Sequence, residues 1–370
     1  MATRIVFSFS LMNRLVACGE QHTVCLSADG TVWRLGSWFW RNKETVPREI
    51  RIDAEIVAVD CGATFAVLLD SNHNVWSLGS NAENVLGTRS SNYEEHLPTQ
   101  VGGLPPISLL SCGAYHTLCV DFDGNVWGFG KCSEGQLGIR QQDVQEVPKK
   151  LPVSDIVSAS CGSSFSVIQN SNGQVLASGK NKNGQLGIGL SAEQERHEFT
   201  LVDIPNVISF SCGDEFVLYA DSHGDVYGAG YNYFGQLGVG DKSIRTIPTK
   251  SPGISDVVSV SCGKSHSMCV DSYSNLWVFG CNVRGRLGLG DEVARYVPTK
   301  VPNLTVSILS RGGCHTIVKD DNGTIWATGR NGTGQLGLAA SSYLEFTALQ
   351  DEHSSIIGIH PSSRAKSARK

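Results

Sequence analysis

The chain has 370 residues, a formal net charge of −5, 41 glycines, 12 cysteines and only 18% charged residues. This balance excludes a globally basic nucleic-acid binder, and no apolar run approaches the roughly 20 residues of a membrane-spanning helix. The opening MATRIVFSFSLMNRL has no uninterrupted apolar core before a small-residue cleavage site, so no signal peptide is read and a cytoplasmic or nuclear location is expected.

Along the chain, a Cys-Gly pair recurs at Cys18, Cys61, Cys112, Cys161, Cys212 and Cys262, with Arg311-Gly312 in the seventh place; the intervals are 43, 51, 49, 51, 50 and 49. A near-constant period of this size marks a propeller or a solenoid. Equivalent cysteines of successive units lie one unit apart and cannot pair, so they read as small buried residues of a reducing compartment.

Four residues after each anchor comes a ring, at His22, Phe65, His116, Phe165, Phe216, His266 and His315, followed by a short apolar run. A turn is predicted next, at Asp29-Gly30, Asp123-Gly124, Asn172-Gly173 and Asn322-Gly323. Such dipeptides suit tight hairpins because they accept positive φ. A second strand then ends in glycine, as in Trp76 to Gly79 or Trp277 to Gly280, and a Gly-Gln-Leu-Gly loop follows. A Pro-Thr-Lys segment (Pro248, Pro298) and an apolar stretch such as DVVSVSCG complete the unit. About four short strands per period predict an antiparallel blade. The expected fold is all-β: a seven-bladed β-propeller of four-stranded antiparallel blades over residues 1–361.

The glycine-rich loop resembles a phosphate cradle, but a phosphate loop acts once and this one recurs. Gly135, Gly184, Gly235, Gly285 and Gly334 read as bends at the blade edge, with Leu137, Leu186, Leu237, Leu287 and Leu336 packing inward. Two units depart from the pattern. The first has GSWFWRNKETVP in place of the loop, which makes Trp38, Phe39 and Trp40 a candidate aromatic patch. The second has NAENVLG, with Asn84 and Val85 replacing Gly and Gln. At the ends, RIVFSFS and SSIIGIHP are candidates for closing the ring, since an unpaired edge invites aggregation.

The SCGxxH, DGxVWxFG and NxxGQLG elements, repeated in order over about residues 10 to 360, resemble the regulator of chromosome condensation repeat. The resemblance implies a seven-bladed propeller. It also implies that the two residues after each Cys-Gly lie on one ring face, where the family member acting on the GTPase Ran offers acidic and His side chains to its partner. Carried over by position, Glu20, Gln21, Asp214 and Glu215 are candidate partner-binding residues, with Tyr115 and Lys264 completing a mixed surface.

Three units spell Cys-x3-His-x2-Cys, as in Cys112, His116 and Cys119, and zinc accepts those atoms. Sister units place Phe in the His slot, so the pattern reads as aromatic packing and no metal is expected. Gly263-Lys264-Ser265 is a Walker fragment inside a repeat anchor and not a nucleotide site. No cluster of ordinary catalytic type stands apart from the repeat, so neither catalytic residues nor a cofactor are assigned.

A protein-binding scaffold or adaptor is therefore the first functional reading, because variable loops on a rigid ring suffice for it. Guanine-nucleotide exchange on a Ran-like small GTPase is the second; the family's exchange factor inserts a wedge hairpin, and these units are too uniform in length to hold one. The last residues, 362–370, carry Arg364, Lys366, Arg369 and Lys370; removing them takes the net charge from −5 to −9. This segment is expected to be a disordered basic tail, able at most to hold nucleic acid weakly at low salt.

Overall fold

Each unit builds from its hairpin outward. In a computed structural model, which describes residues 15–27, 30–37, 47–140, 144–189, 194–310 and 312–349, the run after each anchor pairs antiparallel with the tryptophan strand that follows it. In the third unit His116–Asp121 pairs with Val126–Lys131, His116 opposite Gly130 and Val120 opposite Val126. The apolar stretch before the anchor, Ile107–Cys112, pairs on the channel side, and the proline-bearing Val144–Lys150 pairs on the outside.

Seven units repeat this order. Five are separate four-stranded sheets, and the last two share one continuous strand, Arg295–Ser310, which serves as the outer strand of blade 6 and then as the inner strand of blade 7. The seven expected blades are therefore present. Outer strands carry Pro98, Pro148, Pro248 or Pro298, which lack a donor and keep those edges from pairing with another chain. No α-helix occurs among the described residues.

The hairpin turn is held by the carboxylate that ends the second strand. Asp70 Oδ1 accepts the Asn72 and Asn74 N–H groups at 2.9 and 2.8 Å, and its Oδ2 accepts Trp76 Nε1 at 2.9 Å. Asp121, Asp271 and Asp320 hold Trp127, Trp277 and Trp326 in the same way, at 3.2, 2.9 and 3.0 Å. Positive φ occurs at Gly30, Gly124, Gly173 and Gly323, the glycines of the predicted turns, and not at Asp123, Asn172 or Asn322, the described residues before them. Each of these is instead tied to the carboxylate or amide two residues back, as Asp123 N–H is to Asp121. Asp29, Trp38, Phe39, Trp40, RIVFSFS, SSIIGIHP and the basic tail lie outside the described residues.

The first and seventh blades meet through a seam bonded like the others. Ser310 Oγ donates to the Val16 carbonyl at 3.1 Å, His315 Nε2 lies 3.0 Å from Thr23 Oγ1, and Thr23 Oγ1 donates to the Gln335 carbonyl at 2.8 Å. The ring is thus closed within the described residues.

The anchor glycine is fixed by space. A Cβ on Gly162 would lie 2.0 Å from the Phe165 ring, and one on Gly263 would lie 2.1 Å from the His266 ring, because the aromatic side chain folds back beneath the turn. We expect Gly162→Ala to cost about 3 kcal/mol through overpacking. Gly102→Ala, where nothing stands within 4 Å and φ is not positive, should stay within about 0.5 kcal/mol. Urea unfolding of both variants checks the contrast; equal midpoints would remove the steric account.

Candidate partner-recognition face

The six Cys-Gly turns and the Gly312-Gly313 turn of the seventh unit converge on one mouth of the central channel, where they line a cavity of about 340 Å³. Their main chains are joined head to tail around it. Glu20 N–H donates to Ala63 O at 3.1 Å, Ala63 to Ala114 at 3.2 Å, Ser163 to Asp214 at 3.1 Å, Asp214 to Lys264 at 3.4 Å, Lys264 to Gly312 at 3.3 Å and Gly313 to Gly19 at 3.2 Å. This belt crosses six of the seven seams.

Below the belt the anchors themselves bind across the seams. The N–H groups of Cys161, Cys212 and Cys262 each donate at 3.0 Å to the serine hydroxyl one blade back (Ser111, Ser160, Ser211). The three thiols donate to the carbonyls of the same serines at 3.4, 3.3 and 3.2 Å. All twelve cysteines are free thiols. Burial pushes the thiol of Cys18 up to about 11, with bonds from Ser310 and Thr23 opposing, and it raises Cys61 and Cys112 well above the ordinary range. Such thiols are inert as nucleophiles.

The ring slots hold neutral imidazoles. His116 Nε2 lies 2.8 Å from Ser166 Oγ, whose single proton goes to the Gln136 carbonyl at 2.8 Å, so the imidazole must donate. His266 with Thr316, and His315 with Thr23, repeat the arrangement. These Nε2 atoms are committed to hydroxyl groups, and no group of three metal-ligating side chains occurs among the described residues.

The side chains that rise above the belt differ from blade to blade. Lys264 reaches past Gly313, which has no side chain, to Glu20 Oε1 at 2.8 Å, and it also lies 3.5 Å from Asp214 Oδ2. Burial lowers the ammonium pKa, but Asp214 and Glu20 outweigh it and the net shift is upward. Asp214 keeps 38% of its side chain accessible, yet crowding at the cavity wall raises its carboxyl to about 6; Lys264 opposes that rise, and Glu20 and Glu215 add to it. Tyr115, 37% exposed, stands at the same mouth on blade 3.

Four predicted residues therefore share the cavity, and two do not. Gln21 is 9% exposed, and its carbonyl accepts Ser37 N–H and Thr333 Oγ1. Glu215 is held between blades by Lys180 at 2.7 Å and Asn183 at 2.9 Å. Sequence reasoning missed Asp60, which stands in the channel wall where the following blades have serine. Its Oδ1 accepts Cys61 N–H and its Oδ2 accepts Cys112 N–H, both at 2.9 Å. The signal was the change from SCG to DCG in the second unit.

A closed ring of antiparallel blades of this kind defines a β-propeller built from repeats. The chain belongs to the RCC1-like domain family, whose model matches residues 35–360. It is 25% identical over 269 residues to the regulator of chromosome condensation of Xenopus laevis, covering 64% of this chain and 63% of that protein. It is 30% identical over 252 residues to the ultraviolet-B receptor UVR8 of Arabidopsis thaliana, covering 63% and 56%. The matched stretch thus spans under two thirds of these relatives. Among solved structures, Prp20p of Saccharomyces cerevisiae superposes with a TM-score of 0.77 at 23% identity, covering 91% of this chain and 87% of that one, a likeness of fold alone.

A His whose pKa falls to about 3 in the fold, as burial causes at His22, His116 and His315, binds its proton only in the unfolded chain between that value and about 6.5. Stability therefore falls as the pH drops through this window, by up to about 1.4 kcal/mol per pH unit per ring. His116→Phe should cost about 1 kcal/mol at pH 8, where the bond to Ser166 is lost. At pH 5 the variant should match or exceed the unsubstituted protein. Unfolding midpoints at both pH values test this, and parallel losses would refute it.

Proposed function

We propose that the protein acts as a scaffold or adaptor, binding a protein partner through the channel mouth lined by the Cys-Gly turns. The supporting observation is the belt: it holds the turn backbones fixed, while Glu20, Tyr115, Asp214 and Lys264 vary on it. Pre-organised backbone reduces the ordering cost of association. A tyrosine beside a charged cluster is the kind of surface on which contact energy concentrates. Among the solved structures of similar fold, yeast RCC1 (Prp20) is bound to Kap60, and Prp20p has binding properties toward Gsp1p and histones. That relative engages proteins, which supports a protein partner for this chain.

No hairpin is inserted into a blade among the described residues. A Ran-like GTPase is on this reading a candidate for binding more than for catalysed exchange.

The test compares the unsubstituted chain with Tyr115→Ala/Lys264→Glu in quantitative capture from cell extract, followed by titration of each purified partner. Affinity should fall at least about tenfold, or about 1.4 kcal/mol; partners held equally by both proteins would place recognition elsewhere. In the same preparation, nucleotide release from Ran should accelerate by less than about tenfold. A larger acceleration would establish exchange as the activity.

A further inference from the structure

The loop of blade 6 reads Gly285-Arg286-Leu287-Gly288, with arginine where blades 3, 4, 5 and 7 have glutamine. In those four the glutamine Oε1 accepts the N–H two residues back, that of Glu134, Asn183, Phe234 and Thr333, at 3.0, 2.9, 3.1 and 3.0 Å. A guanidinium has no acceptor. Arg284 takes φ 62°, whereas those four residues keep φ negative, and Arg286 Nε donates at 3.1 Å to the Val283 carbonyl. The peptide that gives its N–H to glutamine gives its oxygen to arginine.

That single bond leaves most of the guanidinium unsatisfied. Arg286 is only 7% exposed, and its two terminal nitrogens meet no acceptor among the described residues. Nε2 of Gln136, Gln185 and Gln335 is sealed within the protein, but the terminal nitrogens of Arg286 open to solvent. Burial first, and the Arg286 charge second, hold His266 and His315 below the ordinary histidine range. Buried charges are ordinarily paired, and this one has no carboxylate.

Its surroundings are cationic as well. A Cβ on Gly329 would stand 3.2 Å from Arg286 Cα, so the loop rests on the end of the third strand of blade 7, where Arg330 follows. Blade 4 has Lys180 in the place of Arg330, and three carboxylates act there: Glu215 bonded at 2.7 Å, Glu195 opposite in the outer strand, and Glu134 in the preceding loop. For Arg330 the same three places hold Gln21, Ser342 and Arg284. Arg284 is exposed and Arg330 half-buried, and neither makes an ion pair among the described residues. By contrast, Arg245 and Arg295 on the outer strands of blades 5 and 6 pair with Asp241 and Asp291, each at 2.6 Å. The cluster lies on the anchor side of the ring, since Gly329 stands opposite His315 and Arg330 N–H donates to the Cys314 carbonyl at 3.0 Å.

We propose that Arg284, Arg286 and Arg330 form an oxyanion site at the seam of blades 6 and 7, and that it takes a phosphoryl group. Guanidinium groups match phosphate oxygens in paired, charge-assisted hydrogen bonds. Three cations with no carboxylate among them suit a dianion better than the single charge of a carboxylate. The phosphoryl group is carried by a phosphorylated serine or threonine of another chain, or by a small phosphorylated molecule. The site does not depend on what the channel mouth binds.

Isothermal titration of the full chain at low ionic strength tests this with inorganic phosphate and a phosphoserine pentapeptide, the same peptide with serine or glutamate serving as control. Both phosphorylated probes should bind saturably. Arg286→Gln, which restores the side chain of four sister loops and so keeps the fold, should weaken them at least about tenfold. Arg330→Ala should weaken them at least about fivefold, and Lys319→Gln, at the other end of blade 7, should change nothing. A phosphopeptide bound more tightly than inorganic phosphate assigns the site to a phosphorylated chain, and the reverse order assigns it to a small molecule. Absence of saturable binding, equal binding by the Arg286→Gln variant, or a glutamate peptide held as tightly as the phosphoserine one would overturn the proposal.

Discussion

The ring depends on the glycine that follows each anchor cysteine. With no Cβ there, the ring of the residue three positions later folds back under the turn, and the turn backbone is pressed into one place. From that place the cysteine N–H and thiol meet the serine of the preceding blade, and the next amide meets the carbonyl of the following one. Blade packing and the geometry of the face are therefore set by the same few atoms. A side chain at this glycine would disturb both together, whereas the outer strands, remote from it, vary in sequence without moving the face.

Much of this was legible because it is local. The period, the anchors, the closing glycines and the inward leucines all act within one unit, and repetition separates them from chance. The Asn84 departure was also legible and has a plain cause: that residue sits at φ 52°, a conformation asparagine tolerates better than most residues. What stayed hidden joins units about fifty residues apart. No single repeat shows that Ser111 serves Cys161, or that Lys180 holds Glu215. Position in the repeat marked Gln21 as a contact residue, but its carbonyl is already taken within the ring. The six-residue spacing from Asp to Trp recurs in four units, so it too was legible, although only the folded hairpin shows the carboxylate meeting the indole.

The second unit shows how one exception can be absorbed. Blade 1 has Ala17 where later blades have serine, so Cys61 finds no hydroxyl one blade back. Asp60 bonds Cys61 with one oxygen and reaches forward to Cys112 with the other. A carboxylate thus does the work of two hydroxyls, and it places an acidic group in the channel wall that a seven-fold repeat would not contain.

The two mouths of the channel consequently differ in kind. At the anchor mouth, polar side chains stand on a bonded belt, and Lys264 draws Glu20 and Asp214 together across the glycines of the seventh turn. At the far mouth the main chains are also bonded across seams, from the start of an inner strand to the hairpin turn of the blade before it: Ile107 N–H donates to His73 O at 3.0 Å, Ile156 to Gly124 at 2.9 Å, Val257 to Gly224 at 3.0 Å and Val306 to Ser274 at 2.8 Å. Those bonds use backbone atoms alone, so the side chains at that mouth can be aliphatic without disturbing the seams. A repeat that bonds its seams at this end through the main chain leaves the side chains there open to change, and it is there that blades 4 to 6 carry Val157, Ile208 and Val258 toward water.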